Sequence, residues 1–368
     1  MNIGGPAVIV AELMEGLNPA LFWTHLVTGN CAADEADYLN DFEIDIKVTR
    51  IEGLGRSISV KDDLTAFFVL YKIIRDYKPD IIHTHTAKAG VLGRILGLFA
   101  YSSAKRVHTF HGHLIHGYFS RQKTSLIILT ERILARVSHV LISIGNQVRD
   151  ELLDVGIGKI SQYEVVFPGL GNLQLQSRHT ARLELGLAQN HLYLVFVGRL
   201  TKIKRPDRLI EIARHLKANH PQVQLLIAGA GENSLEIQEI AIQESLPMVF
   251  LGWRNDIGRI FSASDIAILC SDNEGIPLTL IQASQAGLPV VSTKVGSVGD
   301  IVVNGETGIL TEVNSISLIR AIDELISDPE KAARFGQAGK KRAADLFSLN
   351  GMIRAHEDIY SQIIEEIN

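Results

Sequence analysis

The amino-acid sequence predicts an α/β protein made of two parallel-sheet domains in series, and three observations carry that prediction. Strand-like and helix-like stretches alternate from residue 21 to residue 144, the alternation resumes at residue 192, and the stretch between, PGLGNLQLQSRHT at 168–180, has no apolar period. Single strands separated by single helices have no hairpin partner, so neighbouring strands pair in parallel and the crossover helices cover the sheet faces. The aperiodic stretch, with its proline and glycines, reads as the interdomain linker. The domains are therefore expected at residues 1–170 and 171–349.

Taken in order, the chain opens on a loop, Met1-Asn2-Ile3-Gly4-Gly5-Pro6, that leads into a helical spacing of Val8, Val10, Leu13 and Leu17. Residues 21–28 and 46–51 read as strands, 62–77 as a helix, 80–84 as a strand, 88–100 as a helix and 106–110 as a strand. A helix at 124–138 and a strand at 139–144 close the first half. Short apolar, β-branched runs mark the strands and 3.6-residue apolar spacing marks the helices. In the second half, strands at 192–197, 223–228, 248–251, 266–270 and 290–293 alternate with helices at 206–219, 234–244 and 256–262. Helices fill 315–327, 329–346 and 350–367.

Composition limits the class of protein. With 368 residues, 46% hydrophobic and 21% charged, the chain is long and apolar enough for two cores. A net charge of -5 and a pI near 6.2 give no bulk attraction to nucleic acid. Cys31 and Cys270 are the only cysteines, too far apart to suggest a disulfide framework, which fits a reducing compartment. No run of about 18 apolar residues and no basic-then-apolar leader is present, so a cytoplasmic location is expected. Charge is uneven locally: residues 81–149 carry nine Lys and Arg against the single acid Glu131, a net +8. Such a bias fits an anionic lipid head group or a phosphorylated acceptor, and predicts peripheral contact with the inner face of a membrane.

The chemistry concentrates in residues 270–293, CSDNEGIPLTLIQASQAGLPVVST. Pro277 suits the first position of a helix and Gly287 the residue after it, which puts Glu274 just ahead of a helix N-terminus. The free amides of Gly275, Ile276 and Leu278 around Pro277, with the positive end of the helix dipole, make an anion site suited to phosphate. Gln282 stands further along the same helix. The plainer alternative is that Asn273 or Ser271 caps an ordinary helix and Glu274 complements its dipole. A second stretch, VFVGRLTKIKRPDRLIEIARHL at 195–216, carries Arg199 and Lys204 around a strand-to-helix turn. A guanidinium grips a diphosphate bidentately and an ammonium adds a point charge.

Gly198-Arg199-Leu200-x-x-x-Lys204, Phe250-Leu251-Gly252, Ser271-x-x-Glu274-Gly275-x-Pro277, Gly287-x-Pro289-Val290-Val291 and Thr307-Gly308 follow one another in the chain. This set resembles the donor half of glycosyltransferase family 4, retaining enzymes of the GT-B fold, in which two Rossmann-like domains face a cleft. The resemblance covers nearly the whole chain. It implies a nucleoside-diphosphate sugar, UDP-linked, as co-substrate, a glycan or lipid-linked acceptor, and no metal or other cofactor; no Asp-x-Asp metal motif occurs. It implies that Glu274 holds sugar hydroxyls and that His111, of the His111-Gly112 pair, faces the donor sugar, with His113 the runner-up. Arg199, Lys204, Gly231, Gly5 and the Gly275–Leu278 turn would serve the diphosphate, Trp253 and Arg254 the base, and Gln282 the ribose. Gly4, His113, Tyr118 and Lys88 fall on the acceptor side. The stretches at 83–90 and 108–113 are similar to members that assemble bacterial surface polysaccharides on a lipid carrier.

The resemblance also implies that the last helix, about 350–368, crosses back onto the first domain. The strand that should precede the Gly4-Gly5 loop is absent, so either the start lies upstream or the first sheet lacks a central strand; a truncated start is the expectation. A further departure is Gln282, where the family usually has a second Glu. Loss of one charge-assisted bond to the ribose costs about 1–2 kcal/mol, about tenfold in donor affinity. Two other readings compete: a non-catalytic sugar-binding or partner subunit, suggested by Gln282 and the absent strand, and a nucleotide-sugar 2-epimerase. A zinc site at His108, His111, His113 and His116 lacks a completing Cys or carboxylate pair. A dinucleotide oxidoreductase lacks Gly-x-Gly-x-x-Gly.

Overall fold

The computed structural model describes Met1 and residues 4–31, 37–41, 46–55, 60–112 and 120–365. The chain divides into two compact units, Met1–Gly169 with Ser348–Asn368, and Leu170–Phe347. The closing helix, Leu349–Glu365, therefore counts with the first unit. Among the described residues no helix is long and apolar enough to cross a membrane.

The first unit holds strands β1 (Leu26–Gly29), β2 (Val48–Ile51), β3 (Ile81–His85), β4 (Lys105–Phe110), β5 (Val140–Ser143) and β6 (Tyr163–Val165). All pair in parallel, but in two ladders, β1-β2 and β3-β4-β5-β6, with no ladder joining them among the described residues. The expected strand at 21–28 is shorter at its front: pairing starts where the Leu26 amide donates to the Lys47 carbonyl. Leu21 and Trp23 stand 71% and 92% exposed, with no partner strand among the described residues. Apolar helix faces close on the sheet around Ile51, Ala66, Leu70, Ile74 and Leu96, and around Phe110, Leu141, Val148, Leu152 and Tyr163. The helix Ala87–Phe99 lies so close to β4 that a Cβ on Gly90 would come within 2.6 Å of the His108 ring.

The second unit is one six-stranded parallel sheet. Its strands are β7 (Leu192–Val197), β8 (Val223–Ala228), β9 (Met248–Gly252), β10 (Ile266–Leu269), β11 (Val290–Thr293) and β12 (Gly308–Thr311). The order is β12-β11-β10-β7-β8-β9. Starting from β7 the chain builds outward on one side through β8 and β9, then returns to place β10 on the other side of β7. The loops leaving β7 and β10 thus diverge at the carboxyl ends of adjacent strands. That is the switch point at which open α/β sheets take ligands.

Elements missing from the sequence reading include the short helices Tyr38–Asp41 and Val298–Ile301, the helix Asn146–Asp154, the strands β6 and β12, and the helix Arg178–Glu184. The helix Arg178–Glu184 begins inside the expected linker, because the Ser177 hydroxyl accepts from the Thr180 amide and caps it. Two of the nine cations of residues 81–149 are internal, which corrects the idea that all of them form one basic face. Arg94 is fully buried and donates through Nη2 to both Glu131 oxygens, at 2.9 and 2.8 Å. Arg106 donates to the carbonyls of Val137 and Ala104.

Candidate active site

In the second unit the two motif loops, remote in sequence, are tied together at the switch point. The Asp272 amide donates to the Ile203 carbonyl, and the buried Cys270 thiol to the Lys204 carbonyl at 3.2 Å. Buried Arg208 donates to the Cys270 carbonyl at 2.6 Å and pairs with Asp272 at 2.7 Å. Arg205 also reaches Asp272 from a left-handed backbone, φ 54°. These basic side chains position the loops; they are not free to meet a ligand. Burial pushes the Cys270 thiol up to about 12, so it is an inert structural thiol.

Glu274 lies 8% exposed in this arrangement. Its Oε1 accepts from Lys204 Nζ at 2.5 Å and from the Ser271 hydroxyl at 2.6 Å. Both motifs therefore meet in one ion pair, and Lys204 is not the free cation expected. Ser271 is not a cap: the following helix, Leu278–Gln285, has no side-chain cap bond. Pro277 takes the N-cap rather than the first helical position, with φ -74° and ψ 105°. The amides of Gly275, Ile276, Leu278 and Thr279 have no backbone acceptor among the described residues, and they lie at the positive helix end. Arg199 is exposed and its guanidinium has no partner among the described residues. The Gln282 side chain is half-buried one turn into the helix, also without a partner there.

The remaining expected donor residues divide. Gly231 has its amide taken by the Ser234 hydroxyl at 2.7 Å, so it is not an open phosphate donor. Its lack of a side chain serves a close approach, since a Cβ would meet the Leu200 carbonyl at 2.5 Å. Trp253 is 55% exposed just past β9. Arg254, expected near the base, is held bidentately by Asp256 at 2.7 and 2.6 Å.

The first unit gathers five imidazoles at the carboxyl ends of β3 and β4 and on the closing helix. His111 Nε2 and His85 Nδ1 lie 2.8 Å apart and share one proton. The His85 ring lies 4.2 Å from that of His83, which bonds the Tyr360 and Thr109 hydroxyls at 2.6 and 2.7 Å. His108 meets the Thr84 hydroxyl, and His356 the Met352 carbonyl. Burial, reinforced by neighbouring imidazoles, holds His83 and His85 well below the ordinary histidine range. Burial, with Arg94 close by, does the same to His108. His111 is pushed down to about 4, by burial first and His356 second. All are neutral near pH 7, and the buried His111 Nδ1 has no partner among the described residues. A neutral imidazole fixed through one nitrogen and open at the other orients a hydroxyl or relays a proton.

Elsewhere in this unit Gly4 is the N-cap and Gly5 the first residue of the helix Gly5–Gly16. Lys88 is engaged, donating to the Gly53 carbonyl at 2.8 Å and pairing with Asp63, so it is not an open acceptor-side cation. His113 and Tyr118 lie outside the described residues.

Models of known families match both halves: glycosyltransferase family 4 over residues 3–170 and glycosyl transferases group 1 over residues 177–342. An Escherichia coli relative named UDP-Gal:alpha-D-GlcNAc-diphosphoundecaprenol alpha-1,3-galactosyltransferase is 31% identical over 307 residues, 79% of this chain and 77% of that one. The chain belongs to glycosyltransferase family 4. A Staphylococcus aureus relative, the capsular polysaccharide biosynthesis glycosyltransferase CapM, is 23% identical over 88% of this chain and 87% of its own. Anabaena HepE, solved with UDP and glucose, superposes with a TM-score of 0.82 at 22% identity, covering 98% of this chain and 96% of that one. The fold is GT-B. Around the sequence-named Glu274, Lys204 and His111, the structure adds contacts that the sequence reading did not assign: the Ser271 hydroxyl on Glu274, His85 on His111, and Arg205 and Arg208 on the loops. His85 carried a signal, because it ends a strand and alternates with His83. Arg208 carried none.

Proposed function

We propose that this glycosyltransferase moves a sugar, with retention and without a metal, from a UDP-linked donor to a lipid-linked glycan during bacterial surface polysaccharide assembly. The observation that carries the donor half is the joining of both motif loops at the switch point, with a guanidinium unpaired and loop and helix amides lacking a backbone acceptor among the described residues, beside a buried carboxylate. Breaking a sugar–diphosphate bond builds positive charge on the anomeric carbon and negative charge on the leaving diphosphate. Arg199, Lys204 and the amides at Gly275–Thr279 stabilise the diphosphate, and Glu274 holds sugar hydroxyls. His111 takes the sugar-side role that the family resemblance implies, and the acceptor attacks on the face the leaving group vacates. The UDP and lipid-diphosphate in the E. coli relative's name, and the UDP bound to HepE, support this choice of substrates.

A lipid-linked acceptor calls for a membrane surface, and the helix Arg121–Ala135 supplies one face for it. Leu126, Leu129 and Ile133 form an exposed apolar stripe, 64%, 54% and 53% exposed. On a helical wheel Lys123 flanks that stripe on one side, and Arg132 and Arg136 flank it on the other, while Glu131, Leu134 and Ala135 are buried behind it. An apolar stripe between cations is the pattern of a helix lying in an anionic interface.

The experiment is a calorimetric or thermal-shift screen against UDP, GDP, ADP and NAD in EDTA, on wild type and Arg199→Ala. Binding of UDP alone, weakened in the variant, supports the reading. A second assay of sugar transfer separates an enzyme from a non-catalytic subunit, and failure of all four nucleotides to bind would sink the donor site.

A further inference from the structure

His215 lies in the last turn of the helix Pro206–Asn219, His220 just beyond it, and Asp323 on the helix Ser315–Ser327. Both Nε2 atoms point at one carboxylate oxygen, Asp323 Oδ1, at 2.8 and 2.9 Å. The three ligand atoms all lie within 4.8 Å of one another. We propose that these residues form a binding site for one zinc-class divalent cation, which staples the two helices. It goes beyond the proposed transfer reaction and does not depend on it.

Four features carry the inference. Two imidazole nitrogens and a carboxylate oxygen are the donor set that zinc takes, with water completing the shell. The backbone fixes the ligands in place: the His220 amide bonds the Leu216 carbonyl, and buried Leu216, Leu318 and Ile322 anchor the helices that carry them. The side chains are 19–35% exposed, so a hydrated ion has a way in. The ion pairs of Asp323 among the described residues are with the two imidazoles alone, and the nearby cations Arg214 and Lys217 are turned to Glu244. The carboxylate charge is thus left for a metal rather than for a lysine or arginine.

The ligand-free arrangement also predicts what limits affinity. Asn219 Nδ2 lies 3.2 Å from His215 Nδ1 and 3.0 Å from the His215 carbonyl, so the amide donates to Nδ1 and the proton sits on Nε2. Zinc at Nε2 needs that proton on Nδ1, where an acceptor must face it. Asn219→Asp supplies the acceptor. The site lies at the far end of a 14-residue helix whose start carries the Lys204 loop, about 15–20 Å along its axis, so ion binding leaves donor binding unchanged.

The test is titration of metal-depleted full-length protein with Zn2+ alone, by calorimetry, and with Co2+ by visible absorption. Wild type is expected to bind one more Zn2+ than His220→Ala or Asp323→Asn, to develop a Co2+ band that both variants lack, and to leave Mg2+ unbound. Asn219→Asp is expected to tighten that site by about tenfold. Equal Zn2+ stoichiometry in wild type and His220→Ala would overturn the proposal, as would no Zn2+ binding, or an Asn219→Asp affinity no higher than wild type. All four residues are at least partly exposed, and circular dichroism at matched temperature identifies a variant that has merely unfolded.

Discussion

Lowering the pH from 7.5 to 5.5 is expected to destabilise the first unit steeply, because its imidazoles cannot take up protons while folded. His83, His85 and His108 are held well below the usual range and His111 at about 4. Each regains an ordinary pKa near 6.5 on unfolding. For bases depressed in the native state, stability is complete above the unfolded pKa and is lost as pH falls toward the folded one. Between pH 7.5 and 5.5 the unfolded chain gains roughly 0.8 proton per histidine, worth about 1.4 kcal/mol each. Four such groups lose about 5.5 kcal/mol, a large share of the roughly 5–15 kcal/mol that holds a typical domain. The assay is urea unfolding at three pH values, with proton uptake measured calorimetrically at pH 5.5 in buffers of different ionisation heat. At least four protons are expected, since His139 and His356 of the same unit are depressed as well, and about one fewer for His83→Asn. Uptake below one proton, with a flat stability profile, would refute the claim that burial keeps the cluster neutral.

Arg199→Ala should weaken UDP binding by about 10- to 100-fold, the worth of a charged contact to diphosphate, in an isothermal titration; unchanged affinity removes Arg199 from the donor site. Gln282→Glu should lower the donor KM about tenfold with kcat little altered, and an unmoved KM would count against a ribose role. His85→Ala should lower kcat more than it raises donor KM, and shift the 15N signals of His111, because the neighbour that sets its tautomer is gone; His85→Asn should restore part of the rate. Leu126→Asp should release the protein from vesicles containing anionic lipid while sparing transfer to a soluble acceptor, and retention on the vesicles would exclude that helix.

What was legible in the sequence was whatever a short stretch of chain determines by itself. The strand–helix alternation and both donor loops could be read because each strand, turn and following helix is one local unit. Boundaries failed where tertiary pairing decides them: Leu21–His25 is apolar enough for a strand, yet β2 is only four residues long and offers it no partner. The imidazole cluster was half visible. His83 and His85 share a strand, but His356 and Tyr360 come from a helix more than 270 residues away, and no spacing rule connects them. The His215–Asp323 cluster was invisible for the same reason, since its carboxylate belongs to a different helix.

The Lys204–Glu274 pair looks at first like a conflict, since a cation bonded to a carboxylate is a poorer partner for phosphate. The bonding geometry resolves it. An ammonium has three N–H donors, and Glu274 takes one. Ser271 donates to the same Oε1, so both contacts fall on one oxygen and fix the plane of the carboxylate. In the proposed reaction Oε2 would receive sugar hydroxyls, and two donors of Lys204 would serve a diphosphate oxygen. On the proposed reading the pair would couple leaving-group and sugar contacts through one short bond, with Arg205 and Arg208 fixing the loops around it. A site whose charges are already aimed does not have to reorganise as the glycosidic bond breaks, which is the condition under which electrostatic stabilisation is most effective.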